Sequence, residues 1–250
     1  MKVKPNESIL LSGSRSYLAR ASREFSCKFG KANLSMLKGK NFGSKIKIGA
    51  ETFSVLKPSI LDILKFCKRG PQVILPKDSA AIAATTGCGA GWKVLDAGAG
   101  SAFNSIFLAS LGCEVLSIEK DKNFFALARK NISLAKEAVP LKIEIKNSSV
   151  EKAFKKEFFD LITLDLQHAE KFVKKSFASL KAGGWLAIYA LQSEDLPRVS
   201  TLIKNVFGNL KIIEVLQREW QSQHFGKKTF TRPKTWMMGH SGFLIFARKV

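Results

Sequence analysis

The spacing of apolar and polar residues changes character along the chain. Over the first 57 residues the apolar positions fall in short β-prone runs, among them Ser8–Leu11, Tyr17–Ala21 and Lys45–Ile48. Gly13, Gly30, Gly39, Gly43 and Gly49 punctuate them, so residues 1–57 are predicted to form a small, turn-rich β domain. Lys57-Pro58 breaks the pattern. Apolar residues then recur at helical spacing through Ile60, Ile63, Leu64 and Cys67, which predicts a helix over Ser59–Cys67 leading into a second domain, residues 58–250.

From Trp92 onward the period alternates between 2 and 3.6. Lys93–Ala97, Glu114–Glu119, Leu141–Ile145, Asp160–Asp165 and Trp185–Ala190 are predicted strands, with Lys181–Gly184 a turn before the last of them. Phe103–Leu111, Asn123–Lys136, Lys171–Leu180 and Leu196–Phe207 are predicted helices; in the second, Phe124, Ala128, Ile132 and Ala135 share one face. Repeated strand–helix units force a mostly parallel sheet covered by helices on both sides. Two further strand-like runs, Lys211–Trp220 and Gly242–Arg248, are joined by a loop, Gln221–His240, rather than a helix. The prediction is an α/β, Rossmann-like sheet ending in an antiparallel hairpin at its edge. A dehydrogenase sheet would instead continue with crossover helices.

The first strand of this sheet runs into Asp96-Ala-Gly98-Ala-Gly100-Ser-Ala102, and Phe103 opens the next helix. Glycines there let the backbone turn sharply and approach a ligand closely. Glu119, nineteen residues after Gly100 at the end of the second strand, is placed to accept hydrogen bonds from both hydroxyls of a ribose. Asp96 is placed to act on the amino-acid end of a nucleoside-bearing cofactor, through water or backbone groups. An ordinary tight turn with a solvated Glu119 would share the pattern, as would a dinucleotide site. Against the latter, Phe103 stands where a third glycine is needed, and nothing after Asp165 resembles a second nucleotide-binding half. With the closing hairpin, the pattern points to S-adenosylmethionine and a class I methyltransferase sheet.

The fourth strand ends in Leu164-Asp165-Leu166-Gln167-His168. Ligands of open α/β sheets sit at the carboxyl ends of the strands, so Asp165 is predicted to lie beside the cofactor and face the substrate. A helix N-cap is a compatible second role. His168 reads as an incidental turn residue, His240 as a structural turn residue beside the last strand, and His224 as facing solvent or RNA.

Charge sharpens the choice of substrate. The chain carries 41 Lys and Arg against 20 Asp and Glu, a formal net charge of +21, and Met1–Lys57 alone holds 12 against 3. Such a surface draws polyanions by counterion release and suits nucleic acid better than a small metabolite. Four scattered cysteines (Cys27, Cys67, Cys88, Cys113) have no zinc or disulfide spacing and read as small apolar residues. No apolar run approaches the roughly 20 residues of a bilayer span. The start, MKVKPNESILL, lacks a signal-peptide layout, so the chain is expected in the cytoplasm with no membrane partner.

With these elements placed, the chain resembles the tRNA (adenine-N1)-methyltransferases, which modify adenine 58, and in archaea often 57, of the T-loop. The likeness rests on Arg69-Gly-Pro-Gln72-Val-Ile-Leu-Pro76-Lys77-Asp78, Val94–Ser101, Leu164–Leu166, and Arg232-Pro233 through Met238-Gly-His-Ser-Gly-Phe-Leu244. It spans essentially the whole chain, the N-terminal β domain included, and is most specific around Pro76–Asp78 and Gly239–Leu244. It implies methyl transfer to adenine N1 with Asp165 as catalytic residue, a tRNA partner and a homotetramer. The implied S-adenosylmethionine site comprises Gln72, Asp96, Gly98, Gly100, Ser101, Ala102, Phe103, Glu119, Phe124, Ser149, Val150 and Asp165, with no metal. The chain departs from the family at Ala102, where Gly is usual, at Leu75, where an aromatic is usual, and at His168-Ala169 in place of a Pro-Trp pair. Two alternatives stay open: a non-catalytic tRNA-binding subunit of a hetero-oligomer, and a class I methyltransferase with another substrate.

Overall fold

A computed structural model describes residues 1–226 and 228–250 of the chain. They form two compact units: Met1–Arg69 with Arg129–Leu141, and Gly70–Ala128 with Lys142–Val250. Among the described residues no helix is long and apolar enough to cross a membrane.

The first unit contains strands β1 (Ser8–Ser12), β2 (Ser16–Arg20), β3 (Glu24–Cys27), β4 (Gly30–Asn33), β5 (Lys45–Ile48) and β6 (Glu51–Leu56), followed by helix α1 (Ile60–Phe66). Four of the strands make an antiparallel sheet in the order β2-β1-β6-β5, and β3 pairs with β4 in a separate hairpin. Strict alternation decides β5: Ile46 and Ile48 are buried while Lys45 and Lys47 face water. They join Ile9, Leu11, Leu34, Leu37, Phe53 and Val55 in one apolar core. Ser59 caps α1 in a reciprocal capping box with Asp62, and the helix ends at Cys67.

The second unit contains α2 (Pro76–Thr86), β7 (Lys93–Ala97), α3 (Phe103–Ser110), β8 (Glu114–Glu119), the start of α4 (Lys122–Ala138), β9 (Lys142–Asn147), β10 (Phe159–Leu164), α5 (Val173–Ser179), β11 (Leu180–Ala190), α6 (Asp195–Phe207), β12 (Lys211–Glu214), β13 (Trp220–Phe225), β14 (Lys228–Pro233) and β15 (Phe243–Arg248). Seven strands form one sheet in the order β12-β15-β11-β10-β7-β8-β9. Its β9-β8-β7-β10-β11 part is parallel, and β15 enters antiparallel between β11 and β12. Covered on both faces, its central strands are apolar on both sides: Val94, Leu95, Leu161, Ile162, Leu164, Leu186 and Ile188 are all buried. In α6 the buried Val199, Ile203 and Phe207 repeat at helical spacing and pack on this core.

The predicted α/β class, the parallel strands and the antiparallel edge are all present. Three expectations were wrong in detail. The turn expected at Lys181–Gly184 lies inside β11, where the pairing jumps from Phe159↔Leu180 to Leu161↔Trp185. The strand expected over Lys211–Trp220 stops at Glu214, because its partner β15 begins at Phe243, opposite that residue. The expected loop Gln221–His240 holds the two-stranded ribbon β13–β14, whose Ser222, Gln223, Lys228, Thr229 and Thr231 are exposed, so no apolar alternation announces it.

Candidate active site

The sheet brings three acidic side chains to one end. Asp96 is the fourth residue of β7, Glu119 closes β8, and Asp165 follows β10, held by its own N–H donating to Ala97 O at 2.9 Å. The strand-to-helix turn between Asp96 and Phe103 passes close beneath Asp165. Gly98 has φ +85°, and a Cβ there would stand 1.9 Å from the carbonyl oxygen of Asp165, so only glycine fits. Gly100 is different: a Cβ on it would meet nothing closer than 3.9 Å, and its open side faces a cavity.

That cavity measures about 560 Å³, within the range of small-molecule sites. Gln72, Gly98, Gly100, Glu119, Phe124, Ser149, Val150 and Asp165 all line it, as do Lys120, Asp121, Leu166 and Phe172. A smaller space of about 20 Å³, enough for about one water, is lined by Gln72, Asp96, Gly98, Gly100, Ser101, Phe103 and Asp165. Eleven of the twelve expected cofactor residues therefore border one of the two spaces. Ala102 borders neither; it is fully buried and left-handed at φ +61°, the N-cap of α3.

The three carboxylates are held differently. Glu119 Oε2 accepts from Gly100 N–H at 2.8 Å and Oε1 from Asp121 N–H at 2.9 Å, which fixes it at the cavity wall. Asp96 is buried, and both its oxygens are taken: Oδ1 by Asn104 Nδ2 at 2.9 Å and Thr163 Oγ1 at 2.5 Å, Oδ2 by Ser105 Oγ. Burial pushes its carboxyl up in pKa, while the hydroxyls of Ser105 and Thr163 and the Asn104 amide pull the other way. Among the described residues, none is seen to donate to the carboxylate of Asp165. Burial first, then the charges of Asp96 and Glu119, push its pKa up to about 7.

The flanking residues complete the walls. Ser101 Oγ accepts from Gly70 N–H at 2.6 Å, tying the Gly70–Leu75 segment to the loop. His168 is left-handed at φ +58° and exposed, with Nδ1 3.4 Å from Glu170. His240 lies off the cavity: Nδ1 pairs with Glu214 Oε1 at 2.5 Å and Nε2 with Leu191 O at 3.0 Å. His224 is exposed beside Thr229. Sequence reasoning missed Asn104, Ser105 and Thr163, which saturate Asp96. It also missed α2, because Ser79-Ala-Ala-Ile-Ala-Ala-Thr-Thr86 is too uniformly small to show a period.

The cavity is fit to hold an S-adenosyl group: an acidic residue fixed at the end of the second strand, a glycine opening onto free space, and Phe124 beside them. A family model described as a methyltransferase domain matches residues 95–188, the stretch that builds these walls apart from the segment around Gln72. The chain has the Rossmann-like fold of class I methyltransferases, and its likeness is to the tRNA (adenine-N1)-methyltransferases. It is 28% identical over 225 residues to the tRNA (adenine(57)-N(1)/adenine(58)-N(1))-methyltransferase of Methanocaldococcus jannaschii, covering 79% of this chain and 78% of that one. Against the tRNA (adenine(58)-N(1))-methyltransferase of Thermus thermophilus it is 26% identical, covering 80% and 78%. Among solved structures, the tRNA (m1A58) methyltransferase of Aquifex aeolicus superposes with TM-score 0.78 at 25% identity, covering 100% of this chain and 99% of that one. An S-adenosylmethionine-dependent O-methyltransferase of Thermotoga maritima does so with TM-score 0.79, also at 25%, covering 100% and 95%.

Proposed function

We propose that this methyltransferase carries the methyl group of S-adenosylmethionine to N1 of adenine in the T-loop of tRNA, at position 58 and in some substrates also 57. The observation that carries the reading is Asp165: a carboxylate at the cavity wall with no hydrogen-bond donor of its own among the described residues, opposite a fixed Glu119.

When bound, the cofactor supplies an electrophilic methyl on a sulfonium sulfur. Adenine N1 has a free lone pair, so no strong base is needed before attack, and alignment and exclusion of water supply most of the acceleration. We assign cofactor binding to Gln72, Gly98, Gly100, Ser101, Phe103, Glu119, Phe124, Ser149 and Val150, with Glu119 for the ribose hydroxyls. Asp96 and Ala102 act from within, by shaping the turn. Asp165 accepts from the exocyclic amino group of adenine, which orients N1 and stabilises the positive charge that the ring gains. The target base must leave its stack to reach such a site.

The excess of basic residues supports tRNA as partner, and we read residues 1–57 as an RNA-capturing domain and 58–250 as the catalytic one. Exposed Leu216, Trp220, Phe230 and Trp236 support a homo-oligomer, for which the relatives' family suggests a tetramer, working in the cytoplasm. A different methyl acceptor is favoured only by the likeness to the Thermotoga protein. Incubation with an unmodified tRNA transcript and labelled cofactor, followed by mass spectrometry of the nucleosides, separates the two. N1-methyladenosine in the T-loop is expected; a labelled product elsewhere, or none, overturns the reading.

A further inference from the structure

The two segments most specific to the family, Pro76–Asp78 and Gly239–Leu244, are bonded to each other. Lys77 lies in the first turn of α2 with its side chain only 12% exposed. Its Nζ donates to Asp78 Oδ1 at 2.7 Å, to Ser241 Oγ at 2.5 Å and to Val215 O at 2.7 Å. Three acceptors saturate the three N–H bonds of the ammonium. The Asp78 side chain is wholly buried, and its Oδ2 accepts from Ser241 Oγ at 3.0 Å. The Ser241 hydroxyl thus closes a ring with both charges, across 163 residues of sequence. A buried carboxylate is tolerated only when paired and hydrogen-bonded, and this one is both.

Both sides of the ring reach the active site. The carbonyl of Ser241 accepts from Tyr189 Oη at 2.5 Å, and a Cβ on Gly242 would stand 2.5 Å from Tyr189 Cζ. Tyr189 lies near the carboxyl end of β11, beside the strand that delivers Asp165; burial, with Asp78 and Asp165 adding to it, pushes its phenol up to about 12. On the other side, Ser79 Oγ donates to Asn104 Oδ1 at 2.9 Å, and Asn104 in turn holds Asp96.

We propose that Lys77, Asp78 and Ser241 form a positioning clamp that fixes the Met238–Gly242 loop and Tyr189 beside Asp165, and so governs methyl transfer to the RNA rather than capture of the cofactor. The clamp rests on the methyltransferase reading. It contributes no reacting group. Its loss lets the loop and the phenol ring move, and displacements of about 1 Å at a distance from the chemistry can cost on the order of 100-fold in rate.

The test uses the full chain. Ser241→Ala removes the hydroxyl while leaving the Lys77–Asp78 pair and the carbonyl that holds Tyr189. Lys77→Met combined with Asp78→Asn neutralises both charges together, which avoids stranding one of them in the interior. Each is expected to lower kcat on a tRNA transcript by about 10- to 100-fold. The Kd for S-adenosylmethionine, by calorimetry, should stay within about twofold, well below a single tenfold step of affinity. Trypsin should cut after Lys234 faster than in the wild type. Wild-type kcat in Ser241→Ala overturns the clamp, as does a loss of cofactor affinity as large as the loss of rate. If the wild type itself leaves tRNA unmethylated, the activity reading has failed, and the proteolysis comparison still decides whether the ring holds the loop.

Discussion

Asp96 in β7 and Asp165, one residue past the neighbouring parallel strand β10, stand at the same end of the sheet, and their fates are opposite. Asp96 is surrounded by three donors that fill both its oxygens. Asp165 has the same charge to bury and no observed side-chain donor to share it, so it sits with its pKa pushed up to about 7. A carboxylate that is fully bonded stabilises the fold and has nothing left for a ligand. One left without donors costs stability and keeps its oxygens for what enters the cavity. Position on the sheet places both; the neighbours decide which one can do chemistry.

Exchanging the two roles should therefore fail in two different ways. The largest effect is expected from Asp165→Ala, which should lower kcat by about 100- to 1,000-fold while leaving the cofactor Kd little changed and, because a buried charge without donors is removed, raising the thermal midpoint at neutral pH. Wild-type turnover in that variant would remove the distinction. Asp96→Ala should act on the fold instead, by about 3 kcal/mol in urea unfolding, because Asn104, Ser105 and Thr163 lose their shared partner in the interior. Next comes pH. The folded chain keeps the Asp165 proton up to about 7, whereas an unfolded Asp releases it near 4, so stability attributable to this group falls as pH rises through that window. Activity moves the other way, falling about tenfold per unit below pH 7 as the carboxylate is lost. A pH–rate profile checks this, and Asp165→Asn should flatten the stability curve.

Smaller effects sharpen the picture of the turn between the two aspartates. Ala102 holds a left-handed φ of +61°, which costs a residue with a Cβ about 1 kcal/mol. Ala102→Gly should raise stability by up to about that amount without changing kcat, as denaturant titration would show. Smallest of all, the Glu214 carboxylate, helped by the Leu191 carbonyl, holds His240 above its ordinary pKa. The tie it makes is complete below about pH 6.5 and loosens as pH rises through the higher folded value. An NMR titration of the ring should give that higher value, and Glu214→Gln should lower it.

What could be read from the sequence follows the burial. Lys45–Ile48, Lys93–Ala97 and Glu114–Glu119 were bounded to the residue, because an apolar face or an apolar core strand leaves a period in the chain. The β13–β14 ribbon was read as a loop, because most of its residues face water and pairing alone leaves no mark. That Asp96, Glu119 and Asp165 gather at one end of the sheet was legible from strand ends and spacing. The donors around Asp96 were not: Asn104, Ser105 and Thr163 come from two different elements, and nothing local says that they converge. The bond between Lys77 and Ser241 was hidden for the same reason, although both segments had been singled out.

The contact beneath Asp165 carries a consequence for how this enzyme can change. On the proposed function Gly98 belongs to the cofactor turn, yet the atom that forbids a side chain there is the main-chain oxygen of Asp165, the residue that would meet the substrate. Cofactor and substrate halves of the site are therefore not independent modules. A variant library that seeks a new cofactor analogue by altering the turn will disturb the methyl acceptor as well, and one that moves Asp165 to admit a new base will press on the turn. On that reading either specificity changes by paired substitutions, or around the edges of the cavity at Gln72, Phe124 and Ser149.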